Sequence, residues 1–325
     1  MKQLLESLAV LFGRAPRRAK PEEFTEAANA HHDKRNEKRS PEERQHIKDE
    51  RKHKAAQPNV WRRKRWATIV AVNLIFILSY RFDVQLVEGA LTGSRFVGFH
   101  MADLNAAMQV MLAYKLVLIN LVIGIVTIFI GWWLLGGRTF CSWVCPYHLL
   151  GEWAEILHLQ LAKKGLAKHH DFDRRGRLWL WLSFAALAFI TGYTVYETIS
   201  PTGILSRALI YGPGLALVWV GALLLFEVFY SRRFWCRYAC PIGLTYGLVG
   251  SISPLKVVHD ASKCFHDGAC RAVCMVPHVL EPTRKGHAFE IKTALGADCT
   301  RCARCIDACP TEALSFQFKA IGKPK

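Results

Sequence analysis

The chain has 325 residues, 51% of them hydrophobic, and a formal net charge of +17. A soluble domain rarely combines these values, whereas a membrane protein with basic cytoplasmic loops does. The charge does not indicate nucleic-acid binding, because the basic residues cluster where membrane topology needs them and no recognition motif is present.

Residues 1–60 form a basic extension that we expect to be cytoplasmic, solvated and partly helical. Ser40 is a predicted helix N-cap, with Pro41 at the first helical position and Glu43 placed for a capping box. Nothing in this extension identifies a partner.

Four apolar segments then predict four transmembrane helices, at residues 66–80, 116–135, 178–196 and 215–230. About 20 residues suffice to cross the roughly 30 Å hydrocarbon layer as a helix. Basic residues precede the first segment and recur between the second and third, so the positive-inside rule places both termini in the cytoplasm. We therefore expect a transmembrane domain over 61–255, in contact with lipid, in a multi-pass protein of a bacterial inner membrane.

A repeated motif follows the second and fourth segments. Each copy reads Cys-x3-Cys-Pro, and the cysteines are Cys141, Cys145, Cys236 and Cys240. Residues at i and i+4 share one helix face, so each pair can present both sulfurs in one direction. The repeat predicts a two-fold internal symmetry, and the thiols are candidates for a redox or metal role, with inert packing as the alternative.

Ionisable groups near the inner ends of these segments form a candidate quinone site. They are His148, Glu152, Glu155 and Glu227. Quinol oxidation releases two protons, and a carboxylate or imidazole beside the ring can accept them. No histidine lies inside the four segments, so we expect no haem between transmembrane helices.

The C-terminal segment 256–318 carries the most specific signal. Cys299, Cys302, Cys305 and Cys309 have the spacing C-x2-C-x2-C-x3-C and precede Pro310. This spacing is typical of bacterial ferredoxins, in which three thiolates of a run hold one [4Fe–4S] cluster and the fourth ligates the other cluster. The segment therefore predicts an α+β ferredoxin-like domain with two clusters, followed by a tail at 319–325.

The partner run upstream is irregular. Cys264, Cys270 and Cys274 keep the register, but Asp267 stands where a second cysteine belongs. Asp267 is either an oxygen ligand of a [4Fe–4S] cluster or leaves an open corner that gives a [3Fe–4S] cluster; a third alternative is that this run binds nothing.

Cross-ligation predicts two groups of ligands. Cluster 1 is held by Cys264, Asp267, Cys270 and Cys309. Cluster 2 is held by Cys274, Cys299, Cys302 and Cys305.

Residues 61–318 resemble the NapH and MauN family of ferredoxin-type membrane proteins and, more loosely, the NosR and CcoG membrane cores. The segments that carry the resemblance are 137–146, 200–201, 235–241, 277–280 and 298–310. The resemblance implies quinol oxidation, with electrons leaving towards an iron–sulfur or periplasmic redox partner.

The sequence thus predicts an all-α polytopic membrane protein with a C-terminal α+β dicluster domain. Its function is electron transfer between the quinone pool and a redox protein partner, as a subunit whose enzymatic status the sequence leaves open. The alternative is a maturation reductase that assists assembly of another redox enzyme, and a third interpretation is a structural anchor.

Overall fold

The computed structural model describes residues 2–18, 20–36, 40–84, 87–96 and 98–318. In these ranges, none of the helices has both the length and the apolar character that crossing a bilayer requires. The prediction of four transmembrane helices is therefore wrong, and so is the multi-pass inner-membrane localisation. The most apolar helix, Ile119–Leu135, has only 17 residues. The helix Val60–Arg81 has 22 residues but is strongly basic at its start.

The N-terminal extension contains three helices, α1 (Lys2–Leu11), α2 (Glu26–Asn36) and α3 (Pro41–Ala56). Helix α3 starts where the capping residues place it, because Ser40 Oγ accepts a hydrogen bond of 3.1 Å from the backbone N–H of Glu43. None of the side chains of α3 is buried. The solvated character expected for the extension thus fits α3.

Helix α1 packs against the rest of the protein instead. Leu11 is buried beside Leu244 and Ala297, and the hydroxyl of Ser7 accepts a hydrogen bond of 2.7 Å from the backbone N–H of Ala297. The first helix therefore covers the start of the cysteine-rich C-terminal loop.

The helical core contains the four apolar segments. The first lies within a longer helix than the sequence predicts, and the other three lie in shorter ones. The core as a whole is built from a series of helices. These helices are α4 (Val60–Arg81), α5 (Leu104–Tyr114), α6 (Ile119–Leu135), α7 (Thr139–Trp143), α8 (Pro146–Lys163), α9 (Gly176–Thr191), α10 (Val195–Ile199), α11 (Pro201–Tyr211), α12 (Ala216–Phe229) and α13 (Pro241–Ile252). Gly136 ends α6 and Gly192 ends α9, each in the left-handed conformation that glycine adopts without steric cost.

A small antiparallel sheet was not predicted and makes the all-α assignment wrong. Its strands are β1 (Val87–Ala90), β2 (Gly93–Phe96) and β3 (Phe99–Ala102), paired in chain order. Strand β3 approaches α6 so closely that a Cβ on Gly124 would lie 2.6 Å from the carbonyl oxygen of His100. Gly124 therefore permits the contact between sheet and helix.

The C-terminal segment folds around a second antiparallel sheet. Its strands are β4 (Leu255–Asp260), β5 (Lys292–Ala294) and β6 (Leu314–Phe318), in the order β5-β4-β6. Two short helices, α14 (Ala269–Val273) and α15 (Arg304–Asp307), each carry a cysteine of one run. The predicted tail 319–325 lies outside the described residues.

Candidate metal centres

The Cys-x3-Cys-Pro motif has the same local structure in both copies. In each, an apolar helix leads into a short helical turn, which is α7 in the first copy and a π-helical turn, Trp235–Ala239, in the second. The second cysteine is then the N-cap of the next helix and the proline is its first residue. Backbone angles at the two N-caps nearly coincide, with φ −65° and ψ 119° at Cys145 and φ −68° and ψ 112° at Cys240.

The four motif cysteines line one cavity, which we call the repeat cavity. Cys145 and Cys240 are buried, and Cys141 and Cys236 are half-buried. Cys145 Sγ lies 3.1 Å from Thr202 Oγ1. Burial raises the pKa of Cys141 to about 12 and that of Cys145 to about 11. Both thiols are therefore neutral unless a bound metal displaces the proton.

A second cavity is lined by Cys274, Cys299, Cys302 and Cys305; we call it the loop cavity. It unites three cysteines of the downstream run with the last cysteine of the upstream run. Arg301 and Ala303 adopt left-handed φ of 52° and 59°, which folds the downstream run into a tight loop. The group is the set that cross-ligation assigns to cluster 2, and the role of its members as ligands remains a prediction.

A third cavity is lined by Cys264, Asp267, Cys270 and Cys309; we call it the aspartate cavity. This is the set assigned to cluster 1. Asp267 Oδ1 accepts a hydrogen bond of 3.3 Å from the backbone N–H of Ala269. Asp267 Oδ2 is buried without a hydrogen-bond partner. A buried carboxylate oxygen without a partner is costly, and coordination to iron would satisfy it.

Backbone donors reach the sulfurs of the aspartate cavity. The N–H of His266 donates to Cys264 Sγ, and the N–H of Ala313 donates to Cys309 Sγ, both at 3.3 Å. Hydrogen bonds to sulfur are one of the means by which a protein sets the potential of an iron–sulfur cluster.

In the described residues, no three His, Cys, Asp or Glu side chains are arranged to hold a single metal ion.

The residues of the predicted quinone site come together, but in a closed ionic network. Glu152 pairs with Arg65, and His148 Nε2 lies 3.0 Å from Arg65 Nη1. Glu155 accepts from Arg304 at 2.6 Å and from Arg233 at 3.1 Å.

The charges of this network offset each other. Burial alone would raise the pKa of Glu155, but Arg233 and Arg304 outweigh it and lower the pKa to about 2. Glu227 lies beside the network, and its burial raises its pKa to about 7. The network joins the helices to α15, since Arg304 lies between Cys302 and Cys305.

Asp298 binds three basic side chains, and the sequence did not predict this role. Its carboxylate accepts hydrogen bonds from Arg138, from Arg177 at 2.8 Å and from His278 at 2.6 Å. Burial alone would raise the pKa of Asp298, but the two arginines and His278 hold it well below its usual range. Its position directly before Cys299 was the only available signal.

A further cavity lies on the surface between α1 and the C-terminal segment. It has a volume of about 190 Å³, and its wall includes Val10, His278, His287, Phe289 and Asp298. None of the residues predicted as ligands lines it, but Asp298 connects its wall to the loop that begins at Cys299. This surface cavity is open enough for a small molecule to enter.

Comparison with known proteins identifies a "4Fe-4S binding domain" in two segments, residues 118–164 and 213–257. These segments contain the two copies of the Cys-x3-Cys-Pro motif. The ferredoxin-type protein MauN of Methylorubrum extorquens is 30% identical over 261 residues, which cover 80% of this chain and 89% of the relative. The ferredoxin-type protein NapH of Haemophilus influenzae gives the same identity and coverage. NapH of Escherichia coli is 28% identical, over 79% of this chain and 90% of the relative. No solved structure matches the chain.

Proposed function

The chain belongs to the NapH and MauN family of ferredoxin-type iron–sulfur electron-transfer proteins, and we propose that it relays electrons through two clusters held by the loop cavity and the aspartate cavity. The observation that carries this proposal is the composition of the two cavities, each of which gathers four ligand residues from both cysteine runs. Each cluster supplies reversible one-electron chemistry when bound.

The fold around the loop cavity favours this role. Arg65 and Arg304 interact electrostatically with Cys302. Positive charge beside a cluster stabilises its reduced form, because reduction adds a negative charge.

We also propose that 1–60, 61–255 and 256–318 are separate domains. The start of β4 at Leu255 supports the second of these boundaries.

We propose Asp267 as the fourth ligand of the aspartate cavity because its buried Oδ2 has no other partner. Asp267→Cys should give a [4Fe–4S] cluster with four thiolates, whereas Asp267→Ala should give a three-iron cluster and lose about one iron per chain. Iron analysis combined with EPR at poised potentials measures both changes.

The exposed carboxylate of Glu312 lies near Cys309 in the chain, and Glu312→Ala is the matched control, with unchanged spectra expected. Identical spectra from Asp267→Cys and Asp267→Ala would remove Asp267 from the coordination sphere.

For the electron donor we propose a quinol that enters the surface cavity, and for the acceptor a redox protein. Oxidation of a quinol yields the quinone, two electrons and two protons. His278 is neutral near pH 7, because burial lowers its pKa more than Asp298 raises it. Its Nε2 donates to Asp298, so its Nδ1 can take one proton. Water in the open cavity takes the other proton, and the electrons pass singly to the clusters.

Anaerobic mixing with a water-soluble quinol analogue tests this donor. Wild-type clusters should be reduced rapidly, and His278→Gln should slow the reaction about a hundredfold without changing the iron content. His287→Gln, on the same cavity wall, is the control and should react like the wild type.

Equal rates in both variants would contradict the role of His278. A wild-type protein that does not react with quinol but reduces a bound metal ion would favour the maturation reductase. Two of the four thiols of the repeat cavity, those of Cys145 and Cys240, are buried, which argues against their use as an external metal-handling site.

A further inference from the structure

The repeat cavity resembles the loop cavity and the aspartate cavity in the number and type of its lining groups. Each of the three cavities is lined by four candidate ligands, which are four cysteines in two of them and three cysteines with one aspartate in the third. The repeat cavity therefore offers a cluster as many sulfurs as the loop cavity.

The four sulfurs come from two separate copies of the motif that line the same cavity. Cys141 and Cys145 belong to the first copy, and Cys236 and Cys240 to the second. All four are free cysteines. Because both copies line the same cavity, a single group bound there would join the two halves of the repeat.

The rest of the wall suits a negatively charged sulfur-ligated group. Phe140, Trp235 and Ile242 exclude water from the cavity. Arg138 also lines it and hydrogen-bonds Cys141. A cluster with four thiolates carries net negative charge, and one buried guanidinium beside it offsets part of that charge.

The repeat cavity also adjoins the loop cavity. Met275 lines the repeat cavity, and its chain neighbour Cys274 lines the loop cavity. Consecutive Cα atoms are about 3.8 Å apart. Cys236 further packs against the apolar core that contains Cys274 and Cys299. A centre in the repeat cavity would therefore be the immediate neighbour of cluster 2.

We propose that the two copies of the motif hold one shared iron–sulfur cluster, which exchanges single electrons with cluster 2 past Met275. Its ligands are Cys141, Cys145, Cys236 and Cys240. In each exchange one cluster is oxidised by one electron and the other is reduced by one electron, and no bond forms or breaks. This third cluster goes beyond the two-cluster relay, and its test does not depend on the identity of the donor.

Iron and acid-labile sulfide analysis of the anaerobically purified full chain is the first test. Three clusters give about 12 irons per chain, or about 11 if the aspartate cavity holds three irons, whereas two clusters give about 8 or 7. A reconstituted wild type that holds only the lower amount would overturn the proposal without any variant.

Half-motif variants test whether the cluster is shared. Cys141→Ser with Cys145→Ser should remove about four irons per chain. Cys236→Ser with Cys240→Ser should remove the same amount, and all four substitutions together should remove no more. The EPR signals of clusters 1 and 2 should persist in each variant, which also shows that the protein has folded. Thr202→Val is the control, because it removes the neighbour of Cys145 without removing a sulfur.

Two results would contradict the proposal, either that one cluster is shared by the two copies or that the bound metal is iron. Additive losses from the two half variants would indicate a separate group in each copy. Unchanged iron together with loss of zinc or copper would indicate another metal. In the wild type, reduction of both neighbouring clusters should broaden their EPR signals by magnetic coupling, and the variant with all four substitutions should lack this broadening.

Discussion

The two copies of the Cys-x3-Cys-Pro motif have the same local structure but different surroundings. The first copy binds the cluster 2 loop through polar contacts. Ser142 donates to the carbonyl oxygen of Thr300 at 2.7 Å, and Trp143 donates to that of Arg301 at 3.1 Å. Arg138, just before this copy, pairs with Asp298.

The second copy directs its polar contacts elsewhere. Tyr238 donates to Asp171 at 2.9 Å, and the backbone N–H of Trp235 donates to Glu227 at 3.0 Å. The comparison shows that the cysteine spacing determines the local turn, whereas the neighbouring residues determine which part of the protein each copy contacts. The first copy hydrogen-bonds the ferredoxin segment, whereas the second directs its hydrogen bonds elsewhere and touches that segment through the apolar packing of Cys236.

The largest effect is expected at Asp298, which pairs with Arg138 next to the first copy. Asp298→Asn leaves Arg138 and Arg177 buried without their carboxylate, which should cost about 3–5 kcal/mol of stability. The cluster 2 loop starts at the next residue, so this cluster should be lost first. Anaerobic thermal scans that follow cluster absorbance and circular dichroism measure both effects.

The matched control is the aspartate that the second copy contacts. Asp171 is 72% exposed, and its ion pair with Arg237 spans 3.6 Å. Asp171→Asn should therefore change the stability by at most about 1 kcal/mol. Equal losses from Asp171→Asn and Asp298→Asn would abolish the distinction between the two copies.

A smaller, pH-dependent effect is expected at the second copy. The pKa of Glu227 is about 7 because of burial, against an ordinary value of 4.5, so the folded state keeps a proton that the unfolded state loses. This contribution to stability is fully present below pH 4.5 and is lost as the pH rises to about 7, by up to roughly 3 kcal/mol. Glu227→Gln should remove that decline, measured as unfolding free energy between pH 5 and 8.

Glu155→Gln is the control of opposite sign. The pKa of Glu155 is lowered to about 2, so its stabilising contribution is present above pH 4.5 and is lost on acidification towards pH 2. A wild type whose stability does not change between pH 5 and 7 would show that Glu227 is not held protonated there.

The sequence predicts best what is encoded within a few residues. Thiolate spacing and the cross-ligation rule give the groups that line the loop cavity and the aspartate cavity. Ser40, Pro41 and Glu43 locate the start of α3, because capping depends on neighbours in the chain.

Features that depend on distant residues were missed. Asp298 and Arg138 are 160 positions apart, and neither has a local signal for the other. Strands β1–β3 were missed because they are only four residues each, too short for a clear alternation. The apolar segments were assigned to membrane spans because hydrophobicity alone does not specify where a helix begins and ends; the helix over the second segment has only 17 residues.

Helix α1 is synthesised before the segment that it contacts. Its Ser7 accepts a hydrogen bond from Ala297, a separation of 290 positions. At about 5–20 residues per second, the ribosome needs roughly 15 to 60 seconds to add that length of chain. During this interval α1 has no Ala297 to bind, because that part of the chain has not yet been added. The loop that starts at Cys299 therefore emerges when its covering helix already exists, and α1 can dock onto it directly.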